Sequence, residues 1–232
     1  MSSGLDSAFE RMAKSAARNL VRSSEILGLG SGSAVARFAK ALGERVKKDS
    51  IEITVVPSSL QSWLLVKVNG LTIAEDSAHC PAIIDVAVDG ADQISLSSRS
   101  MIKGGGGALL KEKIIISSAT KCYILADDSK YVPNLNRSVP VEVIQFSLLA
   151  VEHKIRNQLG AEPSLRKLDK GYPFFTESGN VVLDCQFKEG ISDPSKVESQ
   201  IKSIPGVVEA GIFNSKVDRF YKANQDGTFE TL

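Results

Sequence analysis

The sequence predicts an α/β protein with a mostly parallel sheet and a second, smaller α+β domain, and three observations support this. Apolar runs alternate with segments of helical periodicity up to about residue 126. These runs are continuous rather than alternating, which is typical of parallel strands buried on both faces. From Val139 the predicted order becomes strand, helix, strand, strand, helix, strand, which is typical of a ferredoxin-like unit.

The elements of the first part follow from apolar spacing. A helix is predicted at residues 5–22, because Leu5, Phe9, Met12 and Ala16 recur at helical spacing. The later elements are a strand at 25–29, a helix with Val35, Phe38, Leu42 and Val46, a strand at 51–56, a helix from Ser58 and Ser59 to Val68, a strand at 83–88, a helix at about 108–118 and a strand at 122–126. We therefore expect a Rossmann-like sheet that binds ligands outside the carboxyl ends of its strands.

The second part is predicted in the same way. Its elements are strands at 139–144, 161–168, 181–187 and 207–213, with helices at about 148–159 and 194–203. A last hairpin is predicted at Asp226-Gly227, a dipeptide typical of tight turns. We assign residues 1–137 and 214–232 to the Rossmann-like catalytic domain and residues 138–213 to the ferredoxin-like domain.

Composition excludes several classes of function. The 28 Lys and Arg nearly balance the 27 Asp and Glu, which argues against a nucleic-acid partner. There is no apolar run of about 18 residues and no signal-peptide pattern near the N-terminus, so we expect no membrane association and a cytoplasmic location. Three widely spaced cysteines predict free, buried thiols, and with only two histidines we expect no metal site.

The first polar cluster is Gly28 to Ala34, after the first predicted strand. Glycines let the backbone present N–H groups to an anion at a helix N-terminus, and the hydroxyls of Ser31 and Ser33 add donors. A phosphate site is the favoured interpretation, with a plain strand–helix turn as the alternative. A dinucleotide site is less favoured, because Ser33 stands where its motif needs glycine.

The second cluster, Asp89-Gly90-Ala91-Asp92, ends the strand at 83–88. Two carboxylates three residues apart on a turn can face one polar ligand, and one of them can act as an acid or base in sugar-ring opening. The alternative for either residue is an Asx turn or a helix cap.

The third cluster places Lys103 before four consecutive glycines, Gly104, Gly105, Gly106 and Gly107, and Glu112 in the helix that follows. So many glycines are costly in entropy unless the backbone approaches a ligand closely. Lys103 can stabilise negative charge that develops on an oxygen, and Glu112 can serve as a general base. Taken alone, Glu112 would be a solvated helix residue beside Lys111 and Lys113.

The fourth cluster is Asp127-Asp128-Ser129-Lys130, directly after a strand. Lys130 could contact a phosphate, although a solvated turn is the usual role of such a sequence. Together the clusters supply an anion site, two carboxylates, a cation and a candidate base. This set fits proton transfer beside the carbonyl of a phosphorylated substrate, a reaction that needs no organic cofactor.

These clusters, in this order, resemble the ribose-5-phosphate isomerase type A family over nearly the whole chain. The most specific match is Lys103 and the glycine run followed by Lys-Glu-Lys-Ile, and other matches are Gly28–Ser33, 89–92, 126–130, 179–184 and 205–208. The resemblance implies interconversion of ribose 5-phosphate and ribulose 5-phosphate through a cis-enediolate, in the non-oxidative pentose phosphate pathway. It also implies assembly as a homodimer or homotetramer.

The resemblance implies a role for each cluster. Glu112 would move the proton between C1 and C2, and Asp89 would assist ring opening. Asp92 and Lys103 would lie around the reacting oxygens. The remaining substrate contacts would come from the three glycine-containing turns and from a lysine near the phosphate, namely Ser31, Gly32, Ser33, Ala34, Gly90, Ala91, Gly104, Gly105, Gly106 and Lys130.

The chain departs from the family pattern at a few positions. Ser31 stands where Thr is usual and keeps the hydroxyl, whereas Ala34 lacks one. Gln93 replaces the usual Glu after Asp92. Alternative functions are a sugar-phosphate deaminase, a CoA-transferase-like enzyme with Glu112 as nucleophile, and a sugar-phosphate sensor. A deaminase should use a histidine for ring opening, but neither histidine lies in a cluster. A sensor should carry a basic DNA-binding segment, and none is evident.

Overall fold

We describe a computed structural model of the chain, in which residues 4–75, 79–215 and 217–232 are described. The chain divides into two compact units. The first comprises the described residues of Met1–Gly90, Lys111–Ser129 and Ser215–Leu232, and the second comprises Ala91–Leu110 and Lys130–Asn214.

The helices and strands follow the predicted order closely. The α-helices are α1 (Gly4–Leu20), α2 (Ser33–Asp49), α3 (Leu60–Val68), α4 (Leu109–Ser118), α5 (Leu148–Leu159) and α6 (Pro194–Lys202). The strands are β1 (Glu25–Leu29), β2 (Ile53–Pro57), β3 (Thr72–Ile73), β4 (Ile84–Asp89), β5 (Gln93–Ser95), β6 (Met101–Ile102), β7 (Ala119–Asp127), β8 (Tyr131–Val132), β9 (Val139–Val143), β10 (Glu162–Leu165), β11 (Val181–Gln186), β12 (Val207–Ala210), β13 (Ile212–Phe213), β14 (Arg219–Ala223) and β15 (Phe229–Thr231).

A seven-stranded sheet forms the centre of the first unit, in the order β15-β14-β7-β4-β1-β2-β3. Every neighbouring pair is parallel except the β14–β15 hairpin, so the predicted mostly parallel sheet is confirmed. Because β1 lies between β2 and β4, the strand order reverses at β1. The loops that follow β1 and β4 therefore leave the same edge of the sheet, where ligands bind in sheets of this kind.

The core of the first unit is apolar on both faces of this sheet. Buried strand residues such as Leu27 and Val86 pack with α1 and α2, which contribute Met12 and Phe38. The predicted serine cap of α3 is present, because Ser59 and Ser62 form a capping box. These contacts fix the positions of the loops at the carboxyl edge.

The second unit contains the predicted ferredoxin-like fold. Its antiparallel sheet has the order β10-β11-β9-β12, with α5 following β9 and α6 following β11. Its core contains Val141, Val151, Leu183 and Ile201, which are all fully buried. When only the four strands of this sheet are numbered along the chain, their order is 2-3-1-4, which confirms the predicted βαββαβ arrangement.

A second, small sheet in this unit accounts for a difference from the predicted domain boundaries. Strands β13, β6, β5 and β8 are only two or three residues long and pair in that order. They hold residues 91–110 and 130–137 in the second unit, whereas we assigned these residues to the first domain. The predicted strand at 207–213 is divided at Gly211. The N–H of Gly211 donates to Pro140 O, and the C=O of Gly211 accepts from Lys103 N.

Two further expectations concern exposure. Cys122 and Cys185 are buried as predicted, but Cys80 is exposed, and none of these three cysteines forms a disulfide. Within the described part of the chain, no helix combines the length and the apolar composition that a membrane span requires.

Candidate active site

The turn from β1 into α2 contains the first predicted cluster. Gly30 donates its N–H to Val88 O at 2.9 Å, and a Cβ added at Gly30 would lie 1.8 Å from Asp89 Oδ1. Gly32 has φ +94°, a conformation that favours glycine, and α2 begins at Ser33 without a side-chain cap. Ser33 is exposed and Ala34 is buried. The uncapped backbone N–H groups at this helix start are available to an anion.

Asp89 ends β4 and is almost fully buried, with 2% exposure. Its Oδ1 accepts hydrogen bonds from Gly90 N at 2.7 Å and from Ser31 N at 3.2 Å. A buried carboxylate is costly unless it accepts such bonds, and both donors are backbone groups of the two adjacent loops. Gly90 and Ala91 then carry the chain to Asp92.

Glu112 lies in the first turn of α4 and is 3% exposed, although its neighbour Lys111 is exposed. Its Oε1 accepts a hydrogen bond of 2.7 Å from Ser31 Oγ. The solvated alternative for Glu112 is therefore wrong. The first unit brings Ser31, Asp89 and Glu112 together, with Ser31 bonded to both carboxylates.

Asp92 and Lys103 belong to the second unit. Asp92 Oδ2 accepts a hydrogen bond of 2.7 Å from Gly105 N, and Asp92 N donates to Ile102 O at 2.9 Å. Lys103 follows β6 and is 3% exposed, with its Nζ 5.5 Å from the centre of the Phe213 ring. An ammonium over an aromatic face is favourable, and it keeps this cation in place inside the unit.

The four glycines after Lys103 form a turn that we call the glycine turn, Gly104–Gly107. Gly104 and Gly107 have φ +100° and +81°, and Gly107 N donates to Gly104 O at 3.0 Å. Gly105 and Gly106 are exposed at its tip. The carbonyls of Gly104 and Gly105 accept hydrogen bonds from Arg166, a residue that the sequence analysis missed because no local motif surrounds it.

Lys130 is half-buried and ends a 3-10 helix at Asp128–Lys130. The start of this helix is organised by Asp127, whose Oδ1 accepts from Ser129 N at 3.0 Å. The carboxylate of Asp127 therefore stabilises this turn, in agreement with the alternative interpretation of the cluster as a solvated turn. Among the residues that the structure describes, no group of three or more His, Cys, Asp or Glu side chains could hold a metal ion.

Gln93, which stands where the family usually has Glu, holds part of the second unit in place through its hydrogen bonds. It is largely buried, and its Oε1 accepts from the backbone N–H groups of Asn136 at 2.8 Å and Arg137 at 3.0 Å. Its Nε2 donates to Asn136 Oδ1 at 2.7 Å. Gln93 thus anchors the segment that precedes β9.

Comparisons with known proteins agree with this geometry. Residues 54–227 match the family model for ribose 5-phosphate isomerase A (phosphoriboisomerase A). A ribose-5-phosphate isomerase A of Methanosarcina acetivorans is 42% identical over 228 residues, which cover 98% of this chain and 95% of that protein.

Two solved structures are similar over almost their whole length. Ribose 5-phosphate isomerase A from Methanocaldococcus jannaschii has a TM-score of 0.89 and 31% identity, with 98% of each chain covered. A D-ribose-5-phosphate isomerase in complex with phospho-erythronic acid also has a TM-score of 0.89, with 34% identity and coverage of 100% of this chain and 99% of that one. The chain therefore belongs to the ribose 5-phosphate isomerase A family.

Proposed function

We propose that this aldose-ketose isomerase interconverts D-ribose 5-phosphate and D-ribulose 5-phosphate, with Glu112 as the base that moves a proton between C1 and C2. The observation that carries the residue assignment is the burial of Glu112 at 3% exposure, with Ser31 Oγ bonded to its Oε1 at 2.7 Å. A carboxylate that is buried and oriented in this way is suited to general-base catalysis. A surface glutamate on α4 would have neither property.

Asp89 is suited to assist opening of the furanose ring. It lies at the carboxyl end of β4, the position where ligands bind in such sheets, and backbone donors hold its carboxylate. Asp92 and Lys103 would act around the reacting oxygens. The enediolate carries negative charge on oxygen, and the buried ammonium of Lys103 can stabilise this charge more than it stabilises the neutral sugar.

We assign the phosphate to the start of α2. The uncapped N–H groups there, the exposed Ser33 hydroxyl and the open space at Gly32 leave room for an anion. The family resemblance implies that Ser31, Ala34 and Lys130 also contact the substrate, chiefly near its phosphate. The Ser31 hydroxyl bonds Glu112 in this structure, so we expect its backbone rather than its hydroxyl to serve the phosphate.

The ligand of one similar structure supports this reaction. Phospho-erythronic acid, bound to the D-ribose-5-phosphate isomerase described above, carries a phosphate and a carboxylate. A planar, anionic carboxylate resembles an enediolate, and enzymes bind such analogues of the reacting state tightly. We expect this chain to bind the same compound competitively with ribose 5-phosphate.

The test of the reaction is turnover of ribose 5-phosphate to ribulose 5-phosphate by the purified protein, in buffer with EDTA and no added cofactor. We expect sustained turnover. A folded sample without turnover that still binds ribose 5-phosphate would contradict the proposal and favour a sugar-phosphate sensor. Covalent capture of Glu112 by an acyl-CoA substrate would instead favour a transferase.

We further propose a homodimer or homotetramer in the cytoplasm. The α3 side chains Leu60, Leu64 and Val68 recur at a spacing of four and are 62%, 51% and 81% exposed, a pattern that subunit contacts commonly cover. Sedimentation analysis should give twice or four times the chain mass of 24.9 kDa. A monomer at micromolar concentration would contradict this assembly. The free thiols agree with a reducing compartment.

A further inference from the structure

Arg166 directly follows β10 and belongs to none of the motifs identified in the sequence, yet it contacts both a carboxylate and the glycine turn. Its Nε and Nη2 donate to the two carboxylate oxygens of Asp184, the first at 2.9 Å. Its Nη1 donates to Gly104 O at 2.9 Å and to Gly105 O at 3.1 Å. The Arg166 side chain is 15% exposed, so the guanidinium is held on one side by a carboxylate and on the other by the glycine turn.

The contact with Gly104 matters because of the peptide group to which that carbonyl belongs. The C=O of Gly104 and the N–H of Gly105 are the two ends of one planar, trans peptide unit and point in opposite directions. The carbonyl accepts from Arg166, and the N–H donates to Asp92 Oδ2 at 2.7 Å. A continuous series of hydrogen bonds therefore runs from Asp184 through Arg166 and this peptide to Asp92, and each bond polarises the next.

Such support is needed because the glycine turn has little stiffness of its own. Glycine lacks a Cβ, so a peptide between two glycines can rotate into other conformations at low cost. The turn is restrained a second time by the ring of Phe174, since a Cβ added at Gly107 would lie 2.5 Å from it. Arg166 lies over the same ring, with Cζ 5.8 Å from its centre.

We infer that Arg166 is a positioning residue of the isomerase site: it fixes the Gly104–Gly105 peptide and, through it, the carboxylate of Asp92. The effect of Arg166 on catalysis rests on the proposed function, whereas its effect on the conformation of the glycine turn does not. Without the guanidinium, the Gly104 carbonyl retains the N–H of Gly107 as a donor but loses the donor that lies outside the turn. The peptide can then rotate more easily, so that the Gly105 N–H leaves Asp92. Asp92 and the neighbouring Lys103 backbone then lose their set orientation.

The test is Arg166→Ala, with Arg156→Ala as the matched control. Arg156 lies in the same unit and also bonds carboxylates, those of Glu152 and Glu162, but these ion pairs lie at the surface and do not involve the glycine turn. We expect Arg166→Ala to lower kcat by about 10- to 100-fold, the loss typical of misplaced catalytic groups, with a smaller change in KM. We expect Arg156→Ala to match the wild type.

Two readouts separate positioning from a general loss of stability. Guanidinium ion, at concentrations that leave the protein folded, should restore part of the kcat of Arg166→Ala, whereas urea at the same concentration should not. Amide exchange at Gly105, followed by NMR, should accelerate by about tenfold or more in the variant. Arg166→Lys retains a cation but not the planar set of donors, and it should show the same faster exchange while remaining folded.

The inference is overturned if Arg166→Ala and Arg166→Lys keep wild-type kcat, if Gly105 exchange is unchanged, or if Arg156→Ala loses as much activity. A wild-type protein without isomerase activity would contradict the proposed function instead. Gly105 exchange alone would then decide whether Arg166 holds the turn.

Discussion

Ser31 Oγ donates a hydrogen bond of 2.7 Å to Glu112 Oε1, and the two residues are 81 positions apart in the chain. The bond joins the turn after β1 to the first turn of α4. Because Ser31 N also donates to Asp89, one residue bonds the carboxylates of both Asp89 and Glu112. The conformation of the turn after β1, where we propose that the phosphate binds, and the orientation of the proposed base are therefore coupled.

Removing the Ser31 hydroxyl should weaken catalysis. We expect Ser31→Ala to lower kcat by about 10- to 100-fold, since a hydrogen bond to a charged group contributes about 1.5–3 kcal/mol. Ser31→Thr keeps the hydroxyl and should retain most of the activity. Steady-state kinetics of both variants provide the measurement, and equal activity of Ser31→Ala and the wild type would show that Glu112 does not depend on this bond.

Glu112→Gln tests the base itself. The amide is nearly the same size and its oxygen can still accept from Ser31, but it cannot take a proton at neutral pH. We expect kcat to fall by about 10²- to 10⁴-fold with little change in KM. Glu44→Gln, an exposed position on α2, is the matched control and should be silent. Near-normal kcat in Glu112→Gln would reject the assignment.

Gly30→Ala tests the packing of the β1–α2 turn against Asp89. The added methyl group would lie 1.8 Å from Asp89 Oδ1, so the carboxylate must move. We expect a loss of kcat on the order of 100-fold, the effect of displacing a catalytic group by about 1 Å. A circular dichroism melt of the variant should accompany the kinetics, because it shows whether the protein is still folded. Wild-type activity of Gly30→Ala would show that the position of Asp89 is not critical.

Gln93→Leu should destabilise the second unit. The leucine leaves the N–H groups of Asn136 and Arg137 without their acceptor, and an unsatisfied buried polar group costs about 1–3 kcal/mol. We expect the free energy of unfolding in urea to fall by about that amount. Gln93→Glu keeps the acceptor and should lose less. Equal stability of all three proteins would mean that solvent replaces the Gln93 contacts.

The burial of Cys185 should make the stability of the protein depend on pH in the alkaline range. Burial, more than the neighbouring charges of Asp184 and Glu152, raises the pKa of the Cys185 thiol far above its ordinary range. The folded protein keeps this proton at a pH where the unfolded chain releases it, so the contribution to stability is full below about pH 8.5 and falls as pH rises further. The free energy of unfolding should therefore decline more steeply in this range for the wild type than for Cys185→Ala.

A thiol reagent provides the independent check. The exposed Cys80 should react rapidly with such a reagent at pH 8, whereas the buried Cys122 and Cys185 should react with it only in denaturant. Rapid modification of all three thiols in the native protein would contradict the described burial.

The sequence was sufficient to predict the larger elements. Long apolar runs and helical spacings, as in α1 and β4, carry a strong local signal, and these elements were confirmed. Strands β5, β6 and β8 were missed, and β13 was predicted only as the end of one strand at 207–213. Two or three residues show no periodicity, and the pairing of these strands depends on distant segments. This omission also led to the different domain boundaries, since these strands hold residues 91–110 in the second unit.

The candidate site was predictable by residue type but not by contact. Glycines, carboxylates and lysines after strands indicated the clusters, and the burial of Glu112 agrees with a functional role for its cluster. The bond from Ser31 to Glu112 and those from Arg166 to the glycine turn join residues more than 60 positions apart. Such contacts depend on the tertiary fold, so no local sequence pattern predicts them.

The division of the first unit into three chain segments has a consequence for biosynthesis. Strand β7, nine residues long, receives its neighbour β14 only after the whole second unit has been translated. Until residues 219–231 emerge from the ribosome, one edge of the central sheet is open, and an open edge attracts chaperones or other strands. A prematurely terminated chain would keep that edge permanently, which would mark the defective product for removal by cellular quality control.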